Sequence, residues 1–314
     1  MGFFMGAVVV VTEKLIMVFL LLLIGYMARK TKVVNDSFVD QLSKFLVCVI
    51  IPCFQISALQ VDFAPELLRG GITVFISCMV MHGVSMVVGF ILAKIFRFGR
   101  ERMAVWLFSC MFANIGFMGI PVIVAVFGED TVFYCSFASF AFNILTYTLG
   151  VAIFCFYSDK PEFKLSWKRV FLTPVNISIA FGLVLFLLDI RLPEFIRGTT
   201  QMVGDMVAPL AMIYIGAVLS RTSMKDAFRD KWAYAISVVR LVMMPLLGYF
   251  LLERFITDRL ILGVVVMGLA TPIGVLCAVL AAEYGGDMEM TARYTLVTTL
   301  LSAFTLPAFA LLFL

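Results

Sequence analysis

Apolar runs bounded by charged residues occupy about 8 to 28, 45 to 61, 70 to 93, 103 to 128, 131 to 158, 170 to 188, 198 to 220, 232 to 252, 260 to 282 and 294 to 314. Each is close to the ~20 residues that cross a bilayer as an α-helix. The pattern predicts an all-α membrane protein of ten transmembrane helices. The stretch from Leu15 to Ile24 has the look of a signal peptide, but Lys14 is balanced by Glu13 and further spans follow, so it is read as the first helix. Between the runs the cations fall unevenly: seventeen Lys and Arg lie on the side reached after spans 1, 3, 5, 7 and 9, against six on the other. Cytoplasmic loops collect Lys and Arg, which places both the N- and the C-terminus outside the cytoplasm.

Composition agrees with the pattern. Of 314 residues, 63% are hydrophobic and 14% charged, and the mean hydropathy of +1.08 puts nearly the whole chain in lipid, as one membrane domain without a soluble module. The formal net charge of +4 carries no nucleic-acid footprint. All seven cysteines lie in apolar runs without CxxC spacing, so they read as packing residues rather than metal ligands or disulfide partners, and no metal or cofactor is implied.

The fourth run is interrupted. Residues 114 to 121, Asn-Ile-Gly-Phe-Met-Gly-Ile-Pro, lie in its middle, and Gly116, Gly119 and Pro121 argue against an unbroken helix there. Backbone freed inside a bilayer is tolerated only where protein or a water-filled cavity satisfies it, which makes the break a candidate binding site. The chain also repeats itself at an offset of 157: Gly25 matches Gly182, Pro52 matches Pro209, Arg97-Phe98 matches Arg254-Phe255, and Gly128 with Asp130 matches Gly285 with Asp287. Five spans separate the copies, so the second half runs through the membrane in the opposite sense. This predicts two inverted five-helix repeats, 1–158 and 170–314, joined by a short cytoplasmic linker at 159–169. The same offset sets Asn114 and Ile115 on Thr271 and Pro272, within Ala270-Thr271-Pro272-Ile273-Gly274, so span 9 is interrupted as well. If spans 4 and 9 cross at these breaks, half-helix N-termini and freed carbonyls converge on one point suited to an anionic group; the alternative is a pair of kinks that only shape the bundle.

These residues resemble the auxin efflux carrier family, which includes the plant auxin exporters and bacterial carriers of malonate and other carboxylates. The resemblance rests on Asn114 to Pro121, on Phe142-Asn143-Ile-Leu-Thr-Tyr-Thr-Leu-Gly150, on Pro209-Leu-Ala with Ile215-Gly216, on Arg240-Leu with Pro245, and on Thr298 to Pro307, and it covers essentially the whole chain. It implies ten helices in two inverted repeats, broken helices 4 and 9 crossing at the midplane, and transport by a crossover-type elevator motion. The long cytoplasmic insert of the plant exporters has no counterpart, and the compact form suits a bacterial plasma-membrane protein.

Polar residues in apolar surroundings give the candidate site. Asn114 either holds a carboxylate oxygen or caps the broken helix; Asn143 either meets substrate or makes an interhelical hydrogen bond. Backbone at Ile115, Gly116, Gly119, Pro121, Thr271, Pro272, Ile273 and Gly274 completes the predicted crossing. Arg240 lies eight residues past Trp232 in span 8; it neutralises a substrate, snorkels to the cytoplasmic surface, or pairs with Asp205. Asp205 and His82, the one histidine, are candidates for proton or ion coupling; their plainer readings are an outer-surface acid and a packed ring. Three functions compete. A secondary carrier of small organic anions, working as an exporter, fits breaks that hold no acid and a single intramembrane arginine, Arg240. A sodium- or proton-coupled cation carrier wants carboxylates there. An intramembrane enzyme or receptor lacks any HExxH or GxSxG motif. Expected partners are the bilayer, an organic anion, a proton or sodium gradient and a second copy in a homodimer.

Overall fold

The computed structural model describes residues 2–157 and 167–313, and all their regular elements are helices. In chain order these are α1 (Gly2–Lys30), α2 (Asp36–Ala58), α3 (Pro65–Ile95), α4 (Arg100–Met111), α5 (Ile115–Phe127), α6 (Glu129–Tyr157) and α7 (Trp167–Phe171). There follow α8 (Pro174–Leu187), α9 (Glu194–Leu219), α10 (Met224–Arg229), α11 (Lys231–Leu252), α12 (Arg259–Ala270), α13 (Leu276–Tyr284) and α14 (Met288–Ala310). Five of them, α2, α3, α6, α9 and α11, are long and apolar enough to cross a membrane, while α5, α8 and α12 are shorter apolar helices.

Short polar side chains start the helices where the apolar runs begin. Asn35 accepts a 2.9 Å bond from the Phe38 amide, Asp258 one of 2.8 Å from Leu260, and Asp287 one of 2.8 Å from Met290, each satisfying a donor the first turn cannot. The Asn35 cap moves the start of α2 upstream of the predicted 45, so Lys44 is part of the helix rather than of a loop. Of the predicted linker, residues 159–166 lie outside the described residues, and Trp167 onward is already helical.

Helices pack chiefly within two sets, α1, α2, α8 and α9 in one, and α3 to α6 with α11 to α14 in the other. In the first set the backbones of α1 and α9 touch. A Cβ at Gly25 would lie 2.0 Å from the Ile213 carbonyl oxygen, and one at Gly216 would lie 1.8 Å from that of Leu22, so only glycine permits this approach. In the same set a Cβ at Gly182 of α8 would lie 2.8 Å from the Leu59 side chain at the end of α2. Ion pairs close the set at one end, with Asp36 accepting from Arg29 at 2.6 Å and from Arg221 at 2.9 Å. In the second set Phe96, Phe98, Trp106 and Trp232 form an aromatic cluster between α3, α4 and α11.

Three prolines are absorbed without breaking their helices. Widened π turns at Leu46–Ile50, Ile115–Gly119 and Val239–Met243 each end two residues before Pro52, Pro121 and Pro245. The wider turn removes the demand for the missing N–H and relieves the ring's clash with the preceding turn.

Candidate functional site

The backbone leaves helical geometry between α4 and α5 at Phe112 to Asn114, and between α12 and α13 at Thr271 to Gly274. The first break thus lies just upstream of Gly116, Gly119 and Pro121, which are helical, because the π turn accommodates the proline. The two breaks meet in an antiparallel bridge between Ala113 and Ile273. The Asn114 amide donates to the Pro272 carbonyl at 2.8 Å and the Gly274 amide to the Phe112 carbonyl at 3.3 Å. This is how backbone freed from two helices is satisfied inside protein. Thr298 of α14 supports the second break, its hydroxyl accepting from the Ile273 amide at 3.4 Å.

Four half-helix ends converge here, and they are treated in two ways. The C-terminal ends of α4 and α12 carry freed carbonyls and the negative ends of the helix dipoles. Arg240, fully buried on α11, donates to both: Nη1 to the Cys110 carbonyl at 3.1 Å and Nε to the Thr271 carbonyl at 3.3 Å. Being fully buried, it neither snorkels to a surface nor pairs with Asp205, which is exposed and borders a groove with Glu129, Asp130, Glu194, Arg197 and Asp258. A guanidinium at depth is thereby stabilised by two dipole ends rather than by a carboxylate.

The N-terminal ends of α5 and α13 border a cavity of about 110 Å³ instead. The first backbone bonds of α5 run from Met118 and Gly119 to the Asn114 carbonyl, at 3.1 and 2.8 Å, so the amides of Ile115, Gly116 and Phe117 are first-turn donors. Asn114, Ile115, Gly116 and Phe117 line the cavity from one side and Gly274, Val275 and Leu276 from the other. Asn114 is 3% exposed and its side chain makes no capping bond; its Nδ2 has no hydrogen-bond partner, nor has the Ser139 hydroxyl. Asn143 and Tyr147 of α6, Ser43, Val47 and Ile51 of α2, Val175 of α8 and Tyr214 of α9 complete the wall. Among the described residues no charged side chain belongs to it.

Of the residues read from the sequence, the structure gathers Asn114, Ile115, Gly116, Asn143 and Gly274 at the cavity. Thr271, Pro272 and Ile273 bond within the crossing, and Gly119 packs against Ile115 and the Thr271 methyl. Pro121 is buried in α5 behind the lining. His82 is buried on α3, its Nδ1 2.7 Å from the Cys78 carbonyl and its ring 5.2 Å from that of Phe112; Nε2 has no partner. It touches the back of the break rather than the cavity. Besides Val175 and Tyr214, the residues missed were Ser43, Val47 and Ile51 on α2 and, around the predicted Asn143, Ser139 and Tyr147 on α6. Their one trace in the sequence is i, i+4 spacing, Ser43-Val47-Ile51 and Ser139-Asn143-Tyr147, which sets each trio on one helix face.

A sequence profile described as "Membrane transport protein" matches residues 10–163 and again 160–310. An uncharacterised transporter of Methanocaldococcus jannaschii is 22% identical over 297 residues, covering 92% of this chain and 94% of the relative. Another, from Methanothermobacter thermautotrophicus, is 25% identical over 308 residues, with 97% of each chain covered. With a multi-pass helical body and a break that pairs inside it, the chain belongs to the membrane transport protein family and is a transporter of the auxin efflux carrier type.

Proposed function

We propose that the protein is a non-enzymatic secondary transporter of small organic anions, with the substrate held at the meeting point of the two breaks. The observation that carries this reading is the cavity on which two half-helix N-termini and the unpartnered Asn114 Nδ2 converge, with no acidic side chain in its wall. Helix N-termini favour negative charge and supply amide donors to it. A cation carrier would instead need carboxylates at that point.

In this reading the ten spans form two inverted repeats, 1–158 and 170–314, linked through 159–169, with both termini outside the cytoplasm of the cell's inner membrane. Helix pairs α4/α5 and α12/α13 are then the broken spans 4 and 9. They cross at the midplane and travel, with the set that packs around them, as an elevator past α1, α2, α8 and α9. The separate packing of these two sets supports that division. Export driven by a proton or sodium gradient is the expected direction. Asp205 and His82 would serve coupling from outside the cavity, and the carrier would work as a homodimer.

The test is anion-dependent thermal stabilisation of the purified protein. Asn114→Ala should abolish it while leaving the unfolding midpoint without ligand in place, whereas a full response in this variant would refute the site. Topology is checked separately by labelling a cysteine introduced at Lys164, which should be protected in intact cells.

A further inference from the structure

The substrate class of the cavity can be narrowed from its charge and its size, an inference that rests on the anion-carrier reading above. Among the described residues no Lys, Arg, His, Asp or Glu lines the space. Arg240, the buried cation nearest the breaks, already donates to the Cys110 and Thr271 carbonyls and is not part of the wall. What faces an anion is therefore the first turn of α5 and the first turn of α13. Each helix end acts as about half an elementary charge, so the two together match about one negative charge. Asn114 Nδ2 and the Ser139 hydroxyl, both buried and without partners, add neutral donors. A second carboxylate in the same space would be out of water without a counter-charge, an arrangement proteins avoid.

Size points the same way. An engineered apolar cavity of ~150 Å³ accepts one benzene ring; at about 110 Å³ this cavity is smaller. A carboxylate with a chain of roughly two to four carbons fits such a volume, and a fused two-ring system does not. The side chains of Val47, Ile51 and Val175 give the tail an apolar wall.

We infer that the transported anion is a short-chain monocarboxylate, its carboxylate on the two helix N-termini and Asn114 and its tail against Val47 and Val175. This separates the chain from the indole acids and the dicarboxylates that its resemblance implies.

Full-length protein in lipid nanodiscs, at constant ionic strength and at a pH where all carboxyls are ionised, tests this by ligand-dependent thermal unfolding. The probes are propionate, butyrate, malonate, succinate, indole acetate and the neutral propionamide. Propionate and butyrate should raise the midpoint saturably, with apparent affinities at least ~10-fold above those of the dicarboxylates; Asn114→Ala should lose the response. Tighter binding of malonate, succinate or indole acetate than of propionate, lost in Asn114→Ala, overturns the monocarboxylate assignment and leaves the anion-carrier reading standing. A propionamide response equal to that of propionate overturns both, as does the lack of any Asn114-dependent response to a carboxylate.

Discussion

The two sides of the paired breaks are made from the same material and finished differently. On one, the carbonyl ends of α4 and α12 are closed by a buried arginine that donates to each. On the other, the amide ends of α5 and α13 border a cavity where Asn114 Nδ2 has no partner. Electrostatics makes both poles equally in need of an opposite charge. The protein supplies its own at the negative pole, and the positive pole is where an external anion can serve. A buried charge in a membrane protein is therefore not by itself the substrate's counter-ion: Arg240 completes the backbone of the break.

The contrast can be broken at either pole. Arg240→Ala should have the largest effect, leaving two buried carbonyls unsatisfied and a void in α11, for a loss of about 3 to 5 kcal/mol of folding stability read as a lowered midpoint and yield. Arg240→Lys should recover only part of it, because an ammonium lacks the planar fork that spans two acceptors. A folded, fully stable Arg240→Ala protein that no longer binds anions would move the arginine to the substrate side. Asn114→Ala should act on binding alone: losing a hydrogen bond to a charged group is worth about 1.5 to 3 kcal/mol, or roughly 10- to 100-fold in affinity. Gly116→Ala sharpens the same point. A Cβ there meets nothing within 4 Å, so folding should be kept while the methyl intrudes on the cavity and weakens binding by a smaller factor. Smallest of all is Asp205→Asn: the residue is exposed and outside the cavity, and it should change stability by no more than about 0.5 kcal/mol and leave equilibrium anion binding unaltered.

Much of the frame was legible because a bilayer leaves few options. Charge-bounded apolar runs led to an all-helical chain, and the interrupted middles of two runs, set in register by the 157-residue offset, led to the pair of breaks that the structure joins at Ala113 and Ile273. The place of the first break was misread by a few residues, since Pro121 looks like the helix breaker, yet a π turn accommodates it and the chain opens at Phe112 to Asn114. Asn114, Asn143 and Gly274, which line the cavity, could be singled out because amides and glycine stand out in apolar sequence. The opposite wall could not be. Ser139 lies on a helix that is apolar nearly all round, so nothing in its spacing says which face meets a cavity and which meets lipid, and Ser43, beside Lys44 in the polar first turns of α2, reads as a surface residue. Arg240 stood out for its charge, but its partners are main-chain carbonyls, which no sequence distinguishes.

The central claim is that the amide pole, and not the arginine pole, receives the anion. A structure of the protein with bromopropionate bound, phased on the anomalous signal of bromine, tests it most directly. The account predicts a bromine peak beside Val47 and Val175, with the carboxylate on Asn114 Nδ2 and the first turns of α5 and α13. A carboxylate on the Arg240 guanidinium, displacing the Cys110 and Thr271 carbonyls, would contradict it.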